Sequence, residues 1–357
     1  MSIYDLWFSR LKINLKDKIR LLKTHDSIKN IWISVFKKNE FNFNKKIYEK
    51  FLNAWKLEEL KKMYYYMKQN NINCINYYDS LYPQKLKNHD DAPGVLFFKG
   101  KFNLINNGLT VGIVGSRDCS LYGKNVAINI ANDLARNNIN VISGMARGID
   151  SMAHKGALKE NGRTFAVLGC GVDVVYPKEN SDIYKQIQES GCVISEFEPK
   201  TKPFSWNFPL RNRIISGLSD LLIVVEAGEK SGSLITVNYA LQQGVDVMAV
   251  PGSISSKFSK GTNELIKDGA YIFTELQDIY SILGIKYEKS LNKKQNIEKK
   301  YNKIYSVLSD VPMHIDKIVE ITNIDIKYLY ELLFEMQVKK HVNCIDGSFY
   351  VKNQQLI

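Results

Sequence analysis

The sequence predicts an α/β protein built around a doubly wound parallel sheet, and three observations predict it. Short β-branched runs such as "NVIS" (140–143) and "DLLIVVEA" (220–227) are apolar almost throughout, as strands covered on both faces are. Amphipathic stretches such as "YGKNVAINIANDLARNN" alternate with them. The runs end on turns that carry glycine, and in a parallel sheet such turns gather along one crest.

Taken in order, residues 1–72 read as a small helical domain. In "IYDLWFSRLKI" Ile3, Leu6, Trp7 and Leu11 recur at helical spacing, leaving Asp5, Ser9 and Arg10 on the other side. In "KLEELKKMYYYMKQN" Leu57, Leu60, Tyr64 and Met67 do the same. The period changes near 73, where "INYYDSLYPQKL" leads through "DDAPGVLFFKG" into a strand at Thr110–Val114. Further strands are expected in "NVIS", "TFAVLG" (164–169), "CVISE" (192–196), "DLLIVVEA", "DVMAVPG" (246–252) and "AYIF" (270–273), completing a core over 73–285. The polar "KYEKSLNKKQNIE" at 286–298 reads as a linker. Residues 299–357 offer helices near 299–309, 314–321 and 325–337, then two short strands around Asp346-Gly347, the pattern of a winged helix. The outer face of its third helix is expected to carry Glu331 and Glu335 beside Lys327. Carboxylates face phosphates poorly, so protein contact is favoured over DNA reading there.

Charge narrows the function classes only partly. The formal net charge is +12, with 20 Lys/Arg against 10 Asp/Glu over residues 1–108, 17 against 18 over 109–285, and 12 against 9 over 286–357. The glycine-rich centre is therefore about neutral, and charge alone is compatible with nucleic acid without requiring it. No run of about 18 apolar residues suggests a membrane span, and no secretory leader is evident, so the cytoplasm is the expected compartment. Five scattered cysteines give neither a disulfide framework nor a zinc pattern, and no cofactor is expected. His154, on a helix after "ARGID", reads as a packed residue before a ligand.

The chemistry concentrates behind the strands. "VGIVGSRDCSLYG" places Gly115, Ser116 and Arg117 on the first turn, but the glycine spacing matches neither the dinucleotide nor the P-loop pattern. Gly144 and Arg147 follow the next strand; Gly169, Gly171 and Asp173, then Glu196, follow later ones. Glu226 with Ser231-Gly232-Ser233 follows "LLIVV". Glycines let a ligand approach the backbone and helix N-termini offer N–H groups to anions, so a phosphorylated guest is expected. In "SWNFPLRNRIISG", Arg211 and Arg213 should point to different sides of a helix, one structural and one facing the crest. Phe208 either stacks on a base or packs its loop. Asp150, Asp173, Glu196 and Glu226 lack an evident histidine or paired carboxylate, so the site reads as holding phosphates without machinery for breaking bonds.

Six motifs carry a family resemblance: "VGIVGSRDCSLYG", "VISGMARGIDSMAHKGAL", "AVLGCGVDVVYPKEN", "NFPLRNRIISGLSD", "VVEAGEKSGSLITVNYALQQGVDVMAVPGS" and "GTNELIKDGA". In order and spacing they resemble the DNA-processing protein family DprA, also called Smf, from about Tyr77 to Ile279. The resemblance implies an extended Rossmann-like core that binds single-stranded DNA, forms a homodimer and helps load RecA recombinase during natural transformation. It implies a phosphate contact for Arg117 in Gly115-Ser116-Arg117, a DNA-facing Lys178, a base-contacting Phe208 and a backbone-contacting Ser231-Gly232-Ser233. Ser205 and Trp206 stand where several members place a lysine, with Lys200 or Lys202 as substitutes. The enzymatic alternative is a nucleoside-monophosphate phosphoribohydrolase of the lysine-decarboxylase-like group. Its P-G-G-x-G-T-x-x-E motif would put the catalytic glutamate on Thr236, and the leading Pro-Gly-Gly is missing. A third reading makes the protein an adaptor, whose isolated core 73–285 binds DNA but loses activity.

Overall fold

The computed structural model describes residues 1–38, 45–287, 299–309, 311–339, 341–345 and 347–352. They fall into two compact units, Met1–Tyr287 and Glu288–Ile357. Most of the expected linker lies outside the described residues. No described helix is long and apolar enough to cross a membrane.

The first unit begins with helices α1 (Ile3–Ser9), α2 (Leu15–Thr24), α3 (Ile28–Ile33), α4 (Lys45–Ala54) and α5 (Leu57–Gln69). Side chains of Ser2, Asn14 and Ser27 accept from the first-turn N–H groups of the first three, as good N-caps do. Leu6, Trp7, Leu11, Leu60 and Met67 are buried as the periodicity predicts, whereas Leu57, in the first turn of α5, is exposed. Asp5 also departs from expectation, because it is buried. Its carboxylate accepts from Ser2 N at 2.5 Å and Asn76 Nδ2 at 3.1 Å, so its polar atoms are satisfied inside the fold.

The chain then forms β1 (Asn73–Asn76), α6 (Gln84–Lys87), β2 (Val95–Gly100), β3 (Thr110–Val114), α7 (Leu121–Arg136), β4 (Asn140–Ser143), α8 (Ile149–Lys159) and β5 (Thr164–Val167). There follow α9 (Ser181–Ser190), β6 (Cys192–Ser195), α10 (Asn207–Leu218), β7 (Leu221–Val224), α11 (Ser233–Gln242), β8 (Asp246–Ala249), α12 (Lys260–Lys267), β9 (Tyr271–Ile272) and α13 (Leu276–Ile282). The strands make one nine-stranded sheet in the order β1-β2-β6-β5-β4-β3-β7-β8-β9. From β6 to β9 every pairing is parallel, as expected for a doubly wound sheet. The extension is antiparallel: β2 pairs with β6 and β1 with β2. Alternation along β5 shows both faces covered. Phe165 and Val167 pack with Ile214, Ile215 and Leu218 of α10, while Ala166 packs with Ile183 and Ile187 of α9. The amino-terminal helices are not a separate core, since Leu6, Trp7 and Phe51 share a cluster with Cys74, Val95 and Phe97.

The second unit holds α14 (Asn302–Val307), β10 (Met313–His314), α15 (Ile315–Thr322), α16 (Ile326–Val338), β11 (Val342–Ile345) and β12 (Phe349–Lys352). The helices bury Ile304, Ile318, Leu329 and Leu333 together. β12 pairs antiparallel with both β10 and β11. Asp346 of the expected turn lies outside the described residues, and Gly347 takes a φ of 72°. Glu331 and Lys327 stand exposed on α16 as expected, whereas Glu335 is paired, accepting from Lys300 Nζ and Tyr301 OH at 2.5 Å each. Tyr330, Phe334 and Val338 add exposed apolar surface at four-residue spacing.

Candidate nucleic-acid interface

The chain runs β3-β4-β5-β6 outward on one side of β3, then returns to place β7 on the other. The carboxyl ends of β3 and β7 therefore lie at a topological switch point, where open α/β sheets hold their ligands. Three loops are tied together there. Ser116 N donates to Glu226 O at 2.7 Å, and Ile149 N donates to Ser116 O at 3.2 Å. Gly148 takes a φ of 72° and lies so close that a Cβ would run into Ser116 O, so only glycine permits this approach. Met145, buried in the same turn, is held at a φ of 60°, with Asn180 Nδ2 donating to its carbonyl at 2.9 Å. Strain of this kind persists where neighbours over-determine the backbone.

Beneath the crest lies a buried polar skeleton. Arg211, 3% exposed, donates through Nη1 to the carbonyls of Gly144, at 2.7 Å, and Val167. Asp150 accepts from Gly144 N at 3.1 Å and Ala146 N at 3.4 Å. A Cβ on Gly144 would lie 2.5 Å from Arg211 Nη2 and 2.7 Å from Asp150 Oδ2, which explains the glycine. Burial raises the Asp150 carboxyl above its ordinary range, with the Arg211 charge opposing. Burial also pushes Arg211 down to about 10, so it remains charged at neutral pH. Arg213 points elsewhere, paired with Glu196 and 2% exposed. Both arginines are thus buried. Arg211 still reaches the floor of the cleft, and Arg213 does not.

A cleft of about 480 Å³ opens above this skeleton. It gathers Gly115, Ser116, Arg117, Phe208, Arg211, Ser231, Gly232 and Ser233, eight of the twelve residues expected from sequence. Gly144 lies just below it. Arg117 is exposed, has no ion-pair partner among the described residues, and holds its guanidinium carbon 5.4 Å from the Phe208 ring centre. Arg211 sits 5.9 Å from the same ring, and Phe208 rests against Gly169. Phe208 therefore packs its loop and keeps a partly open ring within about 6 Å of two guanidinium groups, a proximity a ring quadrupole favours. Across the cleft, Gly232 precedes α11, whose dipole suits an anion. Its first N–H groups are already engaged, Ser233 N with Ser231 Oγ at 3.4 Å, Leu234 N with Ser231 O at 3.1 Å and Ile235 N with Gly232 O at 3.3 Å. Arg147 and Lys178 do not line the cleft. Arg147 makes a two-pronged pair with Glu179, at 2.5 and 2.9 Å, and Lys178 is exposed beside it.

The carboxylates considered for catalysis are engaged structurally. Glu226 accepts from Ser120 N at 2.9 Å and Ser120 Oγ at 2.5 Å. Asp173 accepts from Tyr66 OH and Lys200 N, at 2.8 Å each. Thr236 lines the cleft and is buried. Sequence reasoning missed Asn212, whose Nδ2 reaches Gly232 O at 3.5 Å, and Tyr176, whose ring centre lies 5.6 Å from that of Phe208. Tyr176 precedes the noted Lys178 by two residues, but nothing in the sequence ties it to Phe208. Among the described residues no group of three or more His, Cys, Asp or Glu could hold a metal ion.

Comparison with known proteins agrees with this architecture. The family model for DNA recombination-mediator protein A matches residues 73–284. DNA processing protein DprA of Bacillus subtilis is 42% identical over 216 residues, covering 60% of this chain and 73% of its own. The Streptococcus pneumoniae relative of the same name is 43% identical over 201 residues, covering 56% and 71%. The crystal structure of DNA processing protein A from S. pneumoniae superposes with a TM-score of 0.68 at 32% identity, over 81% of this chain and 99% of that one. A Helicobacter pylori DNA processing protein A, whose structure describes its single-stranded DNA binding mode, gives a TM-score of 0.55 at 30% identity, over 59% and 95%. With the match spanning β1 to the end of α13, the chain belongs to the DNA recombination-mediator protein A family.

Proposed function

We propose that this protein processes DNA by binding a single strand along the crest, without breaking bonds in it, and passes that strand to RecA recombinase in transformation or recombination. The observation that carries the reading is Arg117: a cation without a carboxylate partner among the described residues, beside the partly open ring of Phe208 and across the cleft from Gly232. A phosphate can meet the guanidinium and the positive end of the α11 dipole while an unstacked base meets the ring. The cleft lining includes Arg117, Arg211, Asp118 and Asp150, so it is nearly balanced in charge. Affinity then rests on a few placed donors rather than on a broad basic field. The nucleic-acid relative supports this reading by analogy. A cytoplasmic homodimer belongs to it as well; β9 ends the sheet with Tyr271 and Ile272 about half exposed, an edge suited to a second copy.

The phosphoribohydrolase alternative lacks its carboxylate at Thr236, and Asp150, the buried acid on the cleft floor, is held by two backbone N–H groups. Fluorescence anisotropy across a salt series tests the proposal. Wild-type protein should prefer a single-stranded oligonucleotide to its blunt duplex. Arg117→Ala should weaken binding to all sequences and lower the salt slope by about 1. Equal affinity for duplex, or an unchanged slope, would reject it, as would free base released from a nucleoside monophosphate.

A further inference from the structure

The loop before α10 holds an aromatic pair that the cleft does not use. The rings of Phe204 and Trp206 lie 4.8 Å apart and 6° from parallel, and the two side chains are 41% and 64% exposed. Flat aromatic surface exposed to water is unfavourable. The loop fixes them in place. Phe204 N donates to Lys202 O at 2.9 Å, Asn207 N to Phe204 O at 3.0 Å, and Asn207 Nδ2 to Gly169 O at 3.0 Å. Phe204 covers one face of the indole and leaves the other open. Between them, Ser205 lines the same cleft as Phe208 and Arg117.

We infer that Trp206, backed by Phe204, is a second base-stacking station, which receives an unstacked base of the strand as it leaves the cleft over Ser205. The inference rests on the proposed single-strand site. The occupant follows from continuity: the pair adjoins a cleft proposed to hold the same strand. A pre-stacked, oriented ring loses little freedom on gaining another layer, and every base offers a π face, so the station should tolerate sequence.

Trp206 also supplies the probe. The other three tryptophans, Trp7, Trp32 and Trp55, are buried or half-buried. A single-stranded oligonucleotide should therefore quench the exposed indole, with the quench absent in Trp206→Phe and reduced by abasic positions. Trp206→Ala should bind a twelve-nucleotide strand about tenfold more weakly, the order expected of one lost stack, while Trp206→Phe stays near wild type. A strand that binds with Arg117 dependence but leaves Trp206 unquenched, with Trp206→Ala at full affinity, would overturn this inference and leave the proposed function standing. No single-strand binding by wild type would overturn both. A changed sedimentation coefficient for Trp206→Ala without DNA would assign the rings to a protein contact and overturn it too.

Discussion

At His154 the core accepts a titratable group on the condition that it stays neutral. The ring is fully buried, with Nδ1 2.7 Å from Thr164 Oγ1. The Thr164 hydroxyl donates to Val141 O at 3.1 Å, so Nδ1 carries the ring proton. Nε2 is buried with no partner among the described residues. Burial first, and the Arg211 charge second, push this imidazole down to about 3. Between that value and the unfolded ~6.5 the unfolded chain binds more protons, so stability is complete above pH ~6.5 and is lost as pH falls toward 3, by roughly 4–5 kcal/mol. Asp150 acts in the opposite sense, since its raised carboxyl takes up a proton earlier in the native state. Thermal melts from pH 7 to pH 4 should therefore fall less steeply for His154→Gln than for wild type, although the variant starts less stable. Parallel pH profiles would remove His154 from the acid sensitivity. The same residue shows what sequence conveys: its packed role was legible, while the acceptor that fixes its tautomer comes from the strand after the next turn.

Between elements, two glycines at the crest separate architecture from ligand approach. Gly148 brings the start of α8 against the loop after β3, and a side chain there meets backbone. Gly148→Ala should cost about 1–3 kcal/mol and weaken DNA binding with it. A Cβ on Gly232, at a φ of −63°, meets nothing within 4 Å. Gly232→Ala should keep the melting temperature or raise it, yet lose affinity if the strand approaches the α11 amino end, a pair of outcomes that melts and anisotropy separate. Unchanged affinity would place the strand elsewhere. Strands β3 to β8 were legible because each is a short apolar run buried on both faces. The pair β1 and β2 was not. Asn73–Asn76 is half polar, and "GVLFFKG" finds its partners only by antiparallel addition to an edge. Arg211 and Arg213 were legible as a pair with two directions. That both are buried depends on carbonyls and a carboxylate brought from other strands, which spacing along one helix does not encode.

On the scale of the whole molecule, the boundary near residue 72 is a change of period in the sequence, but packing continues across it. Cys74, Val95, Phe97 and Val172 belong to one apolar cluster with the amino-terminal helices. Arg10 donates to Glu198 at 2.6 and 3.0 Å, Tyr66 OH to Asp173 at 2.8 Å, and Tyr78 OH to Leu22 O at 2.9 Å. Uncovering four buried apolar side chains at about 1.5–3 kcal/mol each approaches the roughly 5–15 kcal/mol that separates folded from unfolded domains. The fragment 73–287 should therefore melt more than about 10 °C below 1–287, or fail to stay soluble, on the usual few degrees per kcal/mol. The second unit has its own core around Ile304, Leu329 and Leu333, so the first unit taken alone, 1–287, should melt as it does in the full chain and bind a single-stranded oligonucleotide with full affinity. Circular-dichroism melts of the three chains, each followed by anisotropy, decide the point. If 73–287 matches 1–287 in both, the helices are a separable recruiting module and the adaptor reading gains its footing. If it collapses, they hold Asp173 and the edge of the sheet in place, and single-strand binding depends on them without their touching the strand.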